Sequence, residues 1–119
     1  MHPARISIIT ACFRSEATIR DALESVNCQT YPAIDHVIID GASNDRTLAI
    51  VRECGKRVVH VTSEPDKGIF DAYNKGLAAA TGAVIGILNS DDFYASPHAI
   101  AHVMEIFEDP SIEAVYADL

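Results

Sequence analysis

Basic residues are scarce in this chain. Nine lysines and arginines stand against 17 aspartates and glutamates, a formal net charge of −8. That balance argues against a nucleic-acid partner, because phosphate backbones are gripped by clustered lysine and arginine. It leaves room for a nucleotide, whose phosphates can be neutralised by a metal that acids hold. Cysteine is sparse too: Cys12, Cys28 and Cys54 are odd in number, widely spaced and form no CxxC pair. They read as reduced, incidental thiols of an intracellular chain. No apolar run approaches the roughly 20 residues of a membrane span. The opening MHPARISIIT lacks the long apolar region and small-residue cleavage site of a signal peptide. No GxGxxG follows the first apolar run and no GxxxxGK[ST] occurs anywhere, so the dinucleotide and Walker-type phosphate cradles are excluded. There is no internal repeat and no low-complexity segment.

What is present is enough for one real core: 119 residues, 49% of them hydrophobic. Residues 6–10 form a β-branched apolar run that predicts a buried strand. Across residues 15–29, Ile19, Ala22, Leu23 and Val26 recur at helical spacing. HVIID (36–40) predicts a second strand. Gly41 begins a turn in which Ser43, Asn44 or Asp45 can cap a helix over 47–53, stopped by Gly55. VVHVT (58–62) is a third strand and residues 64–68 a loop. A helix follows over 71–80 with Gly82 just past its end, then a fourth strand, AVIGIL (83–88). Ser96-Pro97 marks the start of a helix with Ile100, Val103, Met104 and Phe107 on one face, and residues 113–116 suggest a fifth strand. Alternating strands and helices imply a Rossmann-like, doubly wound, mostly parallel sheet covered on both faces, a three-layer α/β/α fold. Ligands in such sheets bind beyond the carboxyl ends of the strands.

That rim holds the residues with chemistry. Asp40 ends a strand, where it can serve a turn or accept hydrogen bonds from a nucleobase or ribose; position alone leaves the two even. Asp91 and Asp92 lie side by side after the fourth strand, and neither is needed to cap the next helix. Adjacent carboxylates raise each other's pKa unless a cation intervenes. A hard cation such as Mn²⁺ or Mg²⁺ removes that conflict, taking one or two carboxylates and completing its shell with phosphates and water. His98 and His102 sit at i, i+4 but opposite the apolar face, without an HExxH pattern, and read as solvated.

The segments "ISIITACFRSEATIRDALESVNCQTYP", "HVIIDGASNDRTLAIV" and "SEPDKGIFDAYNKGLAAATGAVIGILNSDD" resemble family 2 glycosyltransferases of the GT-A fold, in order and over nearly the whole chain. The resemblance implies transfer of a sugar from a nucleotide-diphosphate donor, often a UDP-sugar, to an acceptor hydroxyl of a glycan or lipid-linked molecule, as in polysaccharide synthesis. It implies that Thr10 and Phe13 line the base pocket, that Asp40 bonds the base, and that Asp66 and Lys67 flank the nucleotide. Asp91 and Asp92 match the DxD-type motif, with Asp91 nearer the ribose and diphosphate and both at the Mn²⁺ or Mg²⁺ site. Arg14 stands where the family often has Asn, and Ala83 where it often has Asp or Glu; of a phosphate contact and a surface residue, the second reading is favoured for Arg14. The resemblance makes residues 1–119 a single donor-binding domain, with the acceptor site and the general base beyond residue 119 and Asp118 too isolated to be that base. A homodimer through an exposed sheet edge is expected. So is a cytoplasmic location, at most peripheral to the inner membrane, where nucleotide sugars and reduced thiols occur together. The alternative is a nucleotide-sugar-binding module without turnover.

Overall fold

The computed structural model describes residues 3–115. Strands and helices alternate as β1 (Ile6–Cys12), α1 (Ile19–Asn27), β2 (Ile34–Asp40), α2 (Thr47–Cys54), β3 (Val58–Ser63), α3 (Ile69–Ala79), β4 (Val84–Ile87) and α4 (Ala99–Ile106). The four strands form one sheet in the order β3-β2-β1-β4, with every neighbouring pair parallel. β1 is central and all seven of its residues are buried, as its unbroken run ISIITAC requires of a strand covered on both faces.

Side chains alternate across the sheet. On one face Ile6 and Ile8 pack with Ala22 and Val26 of α1 and with Ile100 and Met104 of α4. Cys12 and Ile38 continue that face against Ile19 and Leu23 of α1 and Ile50 and Val51 of α2. On the other face Ile9, Ala11, Val37 and Ile39 meet α3 through Ala72. The three-layer architecture is therefore as the residue pattern implies, but its layers are unequal. Among the described residues, three helices cover one face and α3 alone covers the other. The edge strands consequently keep apolar side chains in solvent: Val59 and Val61 on β3, Ile85 and Ile87 on β4.

α3 lies very close to the sheet because Gly76 has no side chain. A Cβ there would stand 2.5 Å from Ile9 Cγ2. Gly82 plays a similar part at the entry to β4 instead of ending α3. A Cβ at Gly82 would come within 2.7 Å of Ser7 N and 2.8 Å of Arg5 O. The helix expected from residue 15 begins at Ile19; residues 15–18 form a turn closed by Ile19 N donating to Ser15 O at 2.9 Å. The fifth strand is not found: residues 113–115 carry no strand, and Tyr116 lies outside the described residues, as does Asp118. Among the described residues no helix is long and apolar enough to cross a membrane.

Candidate functional site

Parallel strands end on one side, and here the ladder carries their loops to a common rim. Gly41 N donates to Cys12 O at 2.9 Å, Glu64 N to Asp40 O at 3.0 Å and Leu88 N to Ile9 O at 3.0 Å. The segments leaving β1, β2, β3 and β4 therefore emerge side by side. Between them lies an open cleft of about 660 Å³, within the usual size of a small-molecule site. Phe13, Arg14, Gly41, Asp66 and Asp91 are among the residues on its wall, and Ile69 and Ala72 bring the start of α3 to it.

Asp40 is at the rim but not in the cleft. Its side chain is fully buried. Oδ2 accepts from Ser43 N at 2.8 Å and Ser63 Oγ at 2.8 Å, while Oδ1 accepts from Ser43 Oγ at 2.5 Å and from the Cys12 thiol at 3.4 Å. A carboxylate withdrawn from water needs such donors, and through them Asp40 shapes the turn after β2. The Cys12 thiol, pushed up by its burial and then by the neighbouring Asp40 carboxylate, stays protonated and is no nucleophile. Thr10 lies deeper. β1 runs two residues past it, and its parity turns Thr10 into the sheet's interior, where Oγ1 lies 2.7 Å from His36 Nε2.

Asp66 and Phe13 do face each other at the cleft. Lys75, on the second turn of α3, donates to Pro65 O at 3.1 Å and to Asp66 Oδ1 at 3.0 Å. It also pairs with Glu64 at 3.2 Å and Asp71 at 3.4 Å. The hydrogen bond to Asp66, joined by those to Glu64 and Asp71, holds the Lys75 ammonium firmly charged. With Oδ1 engaged, Asp66 Oδ2 remains for the cleft. It would lie 3.0 Å from a Cβ at Gly41, and the same atom would stand 3.3 Å from Phe13 Cδ1. Gly41 thus keeps a slot open between a pinned carboxylate and an aromatic ring. Its φ is not in the left-handed region, so alanine fits the backbone. Gly41→Ala is expected to leave urea stability unchanged or slightly higher, while weakening nucleotide binding about tenfold by narrowing the slot; the paired titrations of folding and binding check this. Lys67 is exposed in the same loop, with its backbone N–H on Asp71 Oδ2 at 3.0 Å, and is not part of the cleft wall.

The Asp91–Asp92 segment is a turn, closed by Asp92 N donating to Asn89 O at 3.0 Å. Two contacts fix it: Tyr73 Oη donates to Asn89 Oδ1 at 2.8 Å, and the Ser15 and Ser90 hydroxyls share a hydrogen bond of 2.8 Å. Asp91 is on the cleft wall, and Asp92 lies next to it, half-buried and outside the wall. Among the described residues no donor or cation engages either carboxylate, and no third His, Cys, Asp or Glu side chain gathers with them. Two hard oxygen donors without a protein cage suit a cation that keeps water and phosphate ligands. His98 and His102 are exposed, and His98 Nδ1 lies 3.3 Å from Thr30 Oγ1.

Arg14 is exposed, as expected, and it also stands on the cleft wall. Its φ is +49° and its N–H donates to Ser43 Oγ at 2.8 Å, while its guanidinium carbon lies 5.1 Å from the centre of the Phe13 ring. Nothing in a single sequence announces a positive φ at arginine. The spacing of Tyr73 and Asn89 gives no hint of their contact either.

The sequence profile described as glycosyl transferase family 2 matches residues 7–118. The chain belongs to that family. A family 2 relative, an uncharacterized glycosyltransferase of Mycobacterium tuberculosis, is 35% identical over 101 residues, covering 84% of this chain and 38% of the relative. A PGL/p-HBAD biosynthesis glycosyltransferase of Mycobacterium bovis is 31% identical over 118 residues, covering 95% of this chain and 46% of its own length. This family 2 chain thus spans less than half of those relatives. The solved mannosyltransferase PcManGT from Pyrobaculum calidifontis, in complex with GDP-Man and Mn²⁺, superposes with a TM-score of 0.86 at 23% identity, over 94% of this chain and 34% of that one. S. aureus TarS 1-349 in complex with UDP-GlcNAc gives 0.81 at 24% identity, over 88% of this chain and 31% of that one. The fold is that of the GT-A glycosyltransferases.

Proposed function

We propose that the cleft binds a nucleotide-diphosphate sugar, a UDP-sugar foremost, and that residues 1–119 are the donor-binding domain of a glycosyltransferase that acts on an acceptor hydroxyl of a glycan or lipid-linked molecule in polysaccharide or glycoconjugate synthesis. The observation that carries this reading is the juxtaposition, at the carboxyl ends of four parallel strands, of an aromatic wall, a pinned carboxylate and the Asp91 turn. Phe13 offers the base an apolar surface. Asp66 Oδ2 accepts from a base N–H across the Gly41 slot, and Lys67 flanks the nucleotide from the loop. Asp91 meets the ribose and diphosphate, and Asp91 with Asp92 would hold Mn²⁺ or Mg²⁺. Bound there, the cation would supply Lewis-acid stabilisation to the departing diphosphate. The acceptor site and general base belong to chain beyond residue 119. The proposed compartment is the cytoplasm, with the acceptor reached at the inner membrane surface. The unpaired β4 edge, with Ile85 and Ile87 exposed beside it, is the proposed seam of a homodimer.

Calorimetric titration with UDP tests the reading. Binding is expected with Mn²⁺, weaker with EDTA, and in Asp92→Ala the metal-dependent increment is expected to vanish. No UDP or GDP binding under any of these conditions overturns it. The second reading, a binding module without turnover, is favoured by the cleft itself: its two wall carboxylates are Asp66, held by Lys75, and Asp91, leaving none for an acceptor proton. Measurable sugar transfer or donor hydrolysis by residues 1–119 alone would dismiss that module.

A further inference from the structure

We infer that Arg14 is a phosphate anchor: its guanidinium, seated on the Phe13 ring, binds the diphosphate of the donor without the help of a metal. The inference rests on the nucleotide reading above and adds a second, metal-independent contact to it. Among the residues lining the cleft, Arg14 is the sole cation, in a chain of net charge −8. Among the described residues no carboxylate lies within ion-pair distance of it, as is true of most bases of this chain, but Arg14 alone of these stands on the cleft wall. A cation without an acid partner there keeps its guanidinium N–H donors for an anionic ligand.

The backbone is arranged for this. A φ of +49° is uncommon for a residue with a side chain and costs about 1 kcal/mol or more. The surrounding structure must therefore hold it there. It does so in two linked steps: the buried Asp40 carboxylate accepts from Ser43, and the Ser43 hydroxyl accepts from the Arg14 N–H. The left-handed turn brings Arg14 back beside Phe13, at 5.1 Å from the ring centre, where the aromatic face limits the guanidinium's motion. Ser15, next in sequence, shares its hydroxyl with Ser90 of the Asp91 turn, so the Arg14 loop and the acidic turn are tied together across the cleft. With Arg14 and Asp91 both on the cleft wall, a phosphate chain meets a cation directly on one side and needs a metal on the other. This gives Asp40 its function at one remove: it holds the turn that aims Arg14.

The variant Arg14→Asn tests this, since asparagine tolerates a positive φ while removing the guanidinium. Titrations with UDP, uridine and inorganic pyrophosphate, all in EDTA, are compared for the two proteins. UDP and pyrophosphate are expected to weaken about tenfold or more in the variant, as for loss of a charged hydrogen-bond donor, with uridine unchanged. UDP binding indifferent to Arg14→Asn overturns the inference and leaves the nucleotide reading standing. Equal weakening of UDP and uridine overturns it too, because the arginine then serves the base. Arg14-dependent pyrophosphate binding without any uridine or UDP binding upholds the anchor and overturns the nucleotide reading. Absence of all three ligands from the wild-type chain in EDTA overturns the inference, and absence of UDP and GDP binding with Mn²⁺ as well overturns the nucleotide reading.

Discussion

Gly76→Val lowers the unfolding free energy by about 3 kcal/mol, the upper part of the usual range for overpacking a close-packed interior. The first added carbon alone would sit 2.5 Å from Ile9 Cγ2, with Cδ1 and Cγ1 of the same side chain at 3.0 and 3.1 Å. Ile9 cannot yield easily, because it is fully buried in the central strand between β2 and β4. The helix must therefore lift, and α3 is the only helix on that face among the described residues. The gain in helix propensity from removing a glycine offsets only about 1 kcal/mol of the strain. Urea unfolding is the measurement, with a shifted midpoint and an unchanged slope as the signature of lost stability. Ala78→Val, on the exposed side of the same helix, provides the control and is expected to cost about 0.5 kcal/mol or less. A Gly76→Val protein as stable as the control would mean that α3 does not pack against Ile9 as described.

Acid is expected to cost the fold nearly as much, and through a single residue. His36 is fully buried on β2, with Nε2 against Thr10 and Nδ1 without a hydrogen-bond partner. Burial pulls its pKa down from 6.5 to about 4. The unfolded chain therefore binds a proton at this residue at pH values where the folded chain refuses it. Stability is complete above pH 6.5 and is lost as pH falls from 6.5 towards 4, by about 3 kcal/mol in all. The carboxylates of Asp45, Asp71 and Asp109, each held down chiefly by a hydrogen bond from Thr47, Lys67 and Ser111 respectively, add their losses only below their ordinary 3.8, outside this window. Unfolding measured at half-unit steps of pH, in wild type and in His36→Asn, separates the contribution. The slope between pH 6.5 and 4 should flatten in the variant, and an equal slope in the two proteins would refute the assignment.

These two residues also mark how far the sequence could be read. The alternation of strands and helices, and with it the parallel sheet and its rim, follows from short β-branched runs spaced by amphipathic helices; for the eight elements found, every boundary but the start of α1 falls within two residues of expectation, while the expected fifth strand is absent from residues 113–115. The resemblance pointed to Phe13, Asp66 and Asp91, which do share the cleft. Where Thr10 and Asp40 sit is a matter of parity. A strand end fixes a residue's height in the sheet, while the face it occupies depends on where the strand stops, and β1 continues to Cys12. Both side chains turn inward, one to His36 and one to Ser43 and Ser63. Arg14 is exposed as expected, but its direction is set by a left-handed turn that Ser43 enforces from 29 residues away. Gly41 and Gly76 were legible as glycines, but the atoms that need their emptiness, on Asp66, Phe13 and Ile9, come from other elements. Edge exposure at Ile85 and Ile87 was hidden for the same reason, since apolar runs look alike in central and edge strands.

The position of β1 at the centre of the sheet has a consequence for the order in which the molecule can be made. The strand synthesised first must wait for its second neighbour, β4, until residues 84–87 have left the ribosome, and the Ser15–Ser90 link across the cleft joins residues 75 apart. Contacts so distant in sequence close late and slowly. Until then β1, β2 and β3 can pair with β1 left as an open edge, and the acidic turn has nothing to stand against. The cleft is thus among the last parts of the domain to exist, and a nucleotide in the surrounding medium can reward only a chain that has already finished folding.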